Sequence, residues 1–219
     1  MNFETQMCYG IDFYTSLFKP HMEIIIKMLG KIPENTVGDS AFGSEENYNF
    51  LEKLGIGNYL KFFNFHNEKK KKFKENIFRV DNMEYDMLND EFICPADRRL
   101  QFNEEKDITT KNGYVAHKRF YQCENCEDCE LREQCHKSEN NRRIQIGPRL
   151  ENYKQQAREN LNSDVGIKLR KKRGIEVEAT FGQIKRNMKF RRFNLRGLEK
   201  VNMEWGLVCM AHNFLKMVH

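Results

Sequence analysis

The chain has 219 residues, and 39% hydrophobic content with 17 Phe and 8 Tyr is enough to bury a core, while 32% charged residues describe a soluble protein. No run approaches the ~18 apolar residues of a membrane span, and Met1-Asn2-Phe3-Glu4-Thr5 lacks the basic and apolar blocks of a signal peptide, so no membrane partner and a cytoplasmic location are expected. The net charge of +5 hides an asymmetry: 168–200 carries 12 Lys and Arg against 3 Glu, a local +9 that leaves −4 for the remainder.

In chain order, Met7, Tyr9, Ile11 and Phe13 alternate with Cys8, Gly10, Asp12 and Tyr14, the pattern of a half-buried strand. Pro20 suits the first turn of a helix whose apolar face is Met22, Ile25, Ile26 and Leu29, with Gly30 ending it. A short strand over 36–38 leads to Asp39, and Ser44 caps a helix that runs to Leu54 with Glu45 and Glu46 in its first turn. Asp39 then stands where a strand gives way to a turn, where α/β folds gather their chemistry. A strand over 58–63 follows, and the run Lys69-Lys70-Lys71-Lys72-Phe73-Lys74 reads as a mobile solvated loop, with phosphate contact as the alternative.

Residues 83–93 read as a hairpin turning at Asn89-Asp90, 114–121 as a strand, and Arg143-Ile144-Gln145-Ile146 as a closing strand before Gly147-Pro148. The chain is then helical. A helix over 150–161 precedes a cap at Ser163-Asp164, and a long helix runs from about Val165 to Met188. On it Val177, Phe181 and Ile184 mark a buried stripe, while Glu178 and Lys185, two turns apart, share one face. A last helix spans 196–217, with Leu198, Val201, Trp205, Val208 and Leu215 on one face; Trp205 and His212 read as core residues rather than ligands.

Two stretches together resemble the DDE transposases of bacterial insertion sequences: Gly38-Asp39-Ser40-Ala41-Phe42-Gly43-Ser44-Glu45-Glu46-Asn47, and the helix carrying Glu178 and Lys185 with six residues between them. Phe190-Arg191-Arg192-Phe193, Arg196-Gly197-Leu198 and the terminal 211–216 extend the resemblance. The related signature Tyr-x2-Arg-x3-Glu departs here, because Gly174 holds the place of its arginine and Arg173 lies one residue off. The resemblance implies an α/β fold with an incomplete RNase H-like core, a β-rich insertion containing cysteines, and C-terminal helices. It divides the chain into 1–67 as the first part of that core without its first strand, 68–148 as the insertion, and 149–219 as the helices that complete the core.

By the same resemblance Asp39 and Glu178 hold Mg²⁺ or Mn²⁺, and Lys185 positions a substrate phosphate. The family cuts and joins DNA with two metals held by three carboxylates. DNA is the expected partner, met by Lys171, Arg173, Arg186, Lys189, Arg191, Arg192 and Arg196, whose clustering with Phe190 and Phe193 is the footprint of a phosphate-contacting surface. The family's first acid has no match before Asp39, since Asp12 is too close to it in sequence. The expectation is therefore the C-terminal portion of a transposase, inactive alone. Three readings stay open: a remnant, an active half completed by a separately encoded N-terminal piece, and a zinc-stabilised DNA-binding or interaction module without nuclease chemistry. Family members often act as dimers, so a homodimer is a further expected partner.

Five of the seven cysteines fall in the insertion. The spacing Cys126-x2-Cys129-x5-Cys135, beside Cys94-Pro95 at the end of a hairpin, suits a tetrahedral Zn²⁺ held by Cys94, Cys126, Cys129 and Cys135, with Cys123 and His136 in reserve. A disulfide framework is not expected in the cytoplasm.

Overall fold

The structure, a computed structural model, describes residues 11–218. Helix α1 spans Ile11–Leu29, and Gly30, at φ +65°, terminates it. Phe18 and Met22, one turn apart, are buried, with Ile25 and Ile26 packed alongside them. Two expectations are corrected here. The helical stripe of Phe18 and Met22 extends back far enough that Ile11–Tyr14 are helical and not a strand; Met7–Gly10 lie outside the described residues. Pro20 lies inside α1 instead of at its first turn, where its ring removes one backbone bond; the packing of Phe18 and Met22 on either side holds the helix through it.

Strand β1 (Asn35–Gly38), helix α2 (Glu45–Lys53) and strand β2 (Gly57–Leu60) form a β-α-β unit. The strands pair in parallel, from Asn35 opposite Gly57 to Gly38 opposite Leu60. The Ser44 hydroxyl accepts the Asn47 N–H at 3.2 Å and starts α2, as the sequence predicts. Gly43 is required because a Cβ there would lie 2.2 Å from the Lys61 carbonyl oxygen. That close approach draws the turn after β1 against the end of β2.

A five-stranded antiparallel sheet follows, in the order β3 (Glu84–Asp86), β4 (Glu91–Ile93), β5 (Arg99–Thr109), β6 (Val115–Cys123), β7 (Arg143–Ile146). The hairpin turns at Asp90, which takes φ +55°. Leu100, Tyr121, Cys123, Cys126 and Ile144 make its core. The lysine run is not wholly a loop, since Lys71–Lys74 form the single turn α3; a second short helix, α4, covers Arg132–Cys135.

Helix α5 (Pro148–Asn162) opens on Pro148, and Tyr153, Ala157 and Leu161 form its buried stripe. Tyr153 joins Phe18, Met22, Tyr48, Leu51, Ile56 and Leu60, while Ala157 and Leu161 pack with Phe62 and Phe65. The Ser163 hydroxyl accepts the Gly166 N–H at 3.1 Å and starts α6 (Asp164–Arg173). The helical path continues through a π turn at Gly174–Glu178, an α-helical turn at Ala179–Gly182 and a second π turn at Gln183–Asn187. Helix α7 (Leu198–Val218) closes the chain. The architecture therefore mixes helices with two sheets, and no helix among the described residues is long and apolar enough to cross a membrane.

Candidate acidic site beside a basic helix

Asp39 follows the last residue of β1 and Lys61 follows the last residue of β2. Because those strands are parallel neighbours in register, the two side chains emerge at one edge, with Lys61 Nζ 3.6 Å from Asp39 Oδ1. That oxygen also accepts the Ser40 N–H at 3.0 Å. The other carboxylate oxygen lies 3.9 Å from Nη2 of Arg173. The Arg173 Nη1 in turn donates to Glu178 Oε1 at 2.7 Å. One guanidinium thus approaches both predicted acids, although 139 positions separate them in the chain. Both carboxylates remain more than half exposed.

The π turn explains how Arg173 reaches Glu178. The Ala179 N–H bonds to the Gly174 carbonyl five residues back, so residues five apart face each other where an α-helix would align those four apart. Arg173 is five residues before Glu178, and the wider turn brings it over the carboxylate. Arg173, expected at DNA, instead faces the acids. The second π turn closes through Met188 N–H to the Gln183 carbonyl at 3.0 Å and carries the half-buried Lys185. Seven residues that include a π turn complete less than two α-helical turns, so the rotation between Glu178 and Lys185 is not the one inferred from 3.6 residues per turn.

The predicted buried stripe is only partly present. Ile184 is 2% exposed, but Val177 is 40% and Phe181 38% exposed. Phe181 stacks on Trp205, with ring centroids 6.2 Å apart, and Phe190 and Phe193 close on the same indole at 6.0 and 6.2 Å. These two phenylalanines pack on a neighbouring helix, whereas Lys171, Arg186, Lys189, Arg191, Arg192 and Arg196 are exposed around them. His212, 4% exposed, pairs through Nε2 with Gln183 Oε1 at 2.9 Å, in keeping with a core role.

Basic groups beyond those in the 168–200 segment surround Asp39. Burial lowers the pKa of His66, and Lys61, Arg170 and Lys69 lower it further against the opposing pull of Asp39. Phe65, 2% exposed, lies under Lys69 Nζ at 5.5 Å and under the Arg170 guanidinium at 5.6 Å. The Arg170 Nε is buried with no hydrogen-bond partner. Sequence reasoning missed Lys61 and His66 as site residues and noted Lys69 only as part of a lysine run able to touch phosphate. The signal for Lys61 was present in the parallel strand pair, which places the residue after β2 beside the residue after β1.

The second predicted site lies at the far end of the sheet. Cys94, Cys123, Cys126, Cys129, Cys135 and His136 help line one cavity of about 20 Å³. Cys94 Sγ accepts the Arg98 N–H and Cys126 Sγ the Arg142 N–H, each at 3.3 Å, and Arg142 Nη1 lies 2.6 Å from Cys135 Sγ. Cys123 instead donates its thiol to the Asn125 carbonyl at 3.4 Å, and burial pushes its pKa up to about 12, as befits a neutral core thiol. Both ring nitrogens of His136 are buried without a partner. All six described cysteines are free. Among the described residues, no group of three or more His, Cys, Asp or Glu side chains already converges as a metal cluster, at either site.

Comparison with known families gives one match, to a model described as a transposase DDE domain, over residues 93–218. The match covers more than half of the chain and includes Glu178, Lys185 and the cysteine cluster, while Asp39 precedes it. No curated protein matches, and no solved structure matches.

Proposed function

The chain belongs to the transposase DDE-domain family, and from that premise we propose that Asp39 and Glu178 are the metal-binding acids of a DNA strand-transfer centre on an RNase H-like core. The observation that carries this reading is the shared guanidinium of Arg173, which gathers both carboxylates at one place, where a divalent cation in its stead would draw these exposed side chains together. Their oxygens are hard donors, which suits Mg²⁺ or Mn²⁺. A cation held there would supply positive charge to activate an attacking hydroxyl or water and to stabilise the leaving oxygen. Asp39 and Glu178 would hold it. Arg173 neutralises the pair in its place. Lys185 is a point charge for a DNA phosphate, and Lys171, Arg186, Lys189, Arg191, Arg192 and Arg196 bind the backbone.

Nicking and strand transfer on linear DNA with Mn²⁺ tests the reading. Asp39→Ala and Glu178→Ala each lower the rate on the order of 100-fold or more, the effect of losing several kcal/mol of metal-borne charge stabilisation. Activity that survives both substitutions refutes it. The exposed basic segment also supports a second reading: a DNA-binding module without nuclease chemistry. Under it, wild type and both variants bind DNA alike and none cuts.

Under either reading, Cys94, Cys126, Cys129 and Cys135 hold a structural Zn²⁺. Three of their sulfurs already receive N–H donors, which stabilise thiolates, while Cys123 uses its own proton and stays outside the set. Elemental analysis of the purified protein finds about one zinc per chain, which Cys126→Ser or Cys129→Ser releases and Cys123→Ser retains. A metal-free wild type overturns this assignment.

A further inference from the structure

We propose that Lys61, His66, Lys69 and Arg170 form a subsite for one backbone phosphate of DNA, built on the buried ring of Phe65 beside Asp39. The inference rests on the assignment of DNA as the ligand of this face, and it joins Arg170 of the basic segment to residues of the loop that follows β2. Lys61 and His66 stand outside every charge cluster of the sequence, while Arg170 belongs to the basic 168–200 segment and Lys69 opens the lysine run.

Phe65 is fully enclosed with Phe62, Ala157 and Leu161, so its ring is a fixed platform. Lys69 and Arg170 lie over it at 5.5 and 5.6 Å, and His66 meets it edge-on at 5.2 Å. Aromatic contact holds both cations near one place despite their mutual repulsion. Lys61, 16% exposed at its side chain, closes the group from β2 and pairs with Asp39. The charged groups acting on His66 are Lys61, Arg170 and Lys69 against the single carboxylate of Asp39. Positive charge is thus in excess in a partly buried setting, where it is screened less than on an open surface. The Arg170 Nε, buried and without a partner, is the second observation: a desolvated donor beside like charges lacks an acceptor, and a phosphate oxygen supplies one. The Asp39 carboxylate borders the group, so a phosphate seated there lies next to the acid pair.

Fluorescence anisotropy of a labelled DNA duplex, titrated with salt in EDTA, tests the subsite without any metal. Lys61→Gln and Arg170→Gln each weaken binding and flatten the salt dependence by about 0.9 in the slope of log affinity against log salt, the signature of one lost phosphate contact. Arg170→Lys keeps the charge on the ring and retains most of the slope. Asp39→Asn tightens metal-free binding, because it removes the carboxylate that competes with phosphate for Lys61. Lys106→Gln, on a strand away from this group and paired with Glu104, leaves the slope unchanged. Unchanged slopes in Lys61→Gln and Arg170→Gln, weaker binding in Asp39→Asn, or an equal fall in Lys106→Gln overturns the proposal. These readouts are separate from strand transfer: an inert acid pair leaves them intact, and a competent acid pair without the subsite still cuts DNA.

Discussion

Tyr48 and Tyr153 face each other in the core, their ring centroids 5.8 Å apart, and differ in one respect. Tyr153 donates its hydroxyl to Glu52, whereas the Tyr48 hydroxyl is buried without a partner, and burial alone raises its pKa. An unmade buried hydrogen bond is a net cost, so the two substitutions have opposite signs. Tyr48→Phe stabilises the fold by about 1 kcal/mol and Tyr153→Phe destabilises it by a similar amount; urea unfolding followed by fluorescence or circular dichroism reads both. At this scale the acids were legible and their surroundings were not. Asp39 and Glu178 could be named as candidates from the family resemblance, because its motifs, a turn after a strand and a helix face, are local features. Arg173 reads from the sequence as one more cation of a basic run. Its actual partners depend on a π turn and on a carboxylate 134 positions away, neither of which local charge records.

Among the elements, those with an apolar period and a cap were readable: α2 behind Ser44, α5 behind Pro148, and the hairpin at Asp90. Strand β5 was not, because the run Asn103-Glu104-Glu105-Lys106-Asp107 is polar at every position and only Leu100 is buried. What holds that hairpin is charge across the strand pair. His117 Nδ1 lies 2.9 Å from Asp107 and Nε2 3.2 Å from Glu105, while the Glu105 carboxylate also takes the Arg119 guanidinium. The Asp107 hydrogen bond, against burial and with the help of Glu105, raises the His117 pKa above its ordinary value. The contribution of this contact to stability is therefore complete below the unfolded value near about 6.5 and is lost as pH rises through the folded value. An NMR titration of His117 shows a midpoint above the ordinary one, and Asp107→Asn brings it down. A midpoint unmoved by Asp107→Asn contradicts the pairing. The π turn at Gly174–Glu178 is the other element-scale departure. A signature written for an α-helix expects arginine four residues before the acid, and the turn presents one that lies five before it.

At the scale of the whole molecule, the five-stranded sheet and the β-α-β unit meet at Glu45, which is 5% exposed. Its carboxylate accepts from Tyr114 at 3.1 Å and pairs with Lys118 at 3.3 Å, itself 13% exposed at the side chain. Breaking one side of a buried pair strands the other charge. Lys118→Met costs about 3 kcal/mol, while Glu45→Gln with Lys118→Met together costs much less than their sum; a double-mutant cycle in urea measures both, and additive effects deny that the pair is coupled. The same β-α-β unit fixes something a mutation of charge cannot. Asp39 and Lys61 stand just past the ends of adjacent strands whose separation is the hydrogen-bond spacing of a sheet, about 4.8 Å. The sheet is thus a ruler for the acid site. Lengthening the 54–56 connection leaves the two side chains where they are. Sliding β2 by one residue would bring Phe62, now 2% exposed, opposite the acid in place of its lysine.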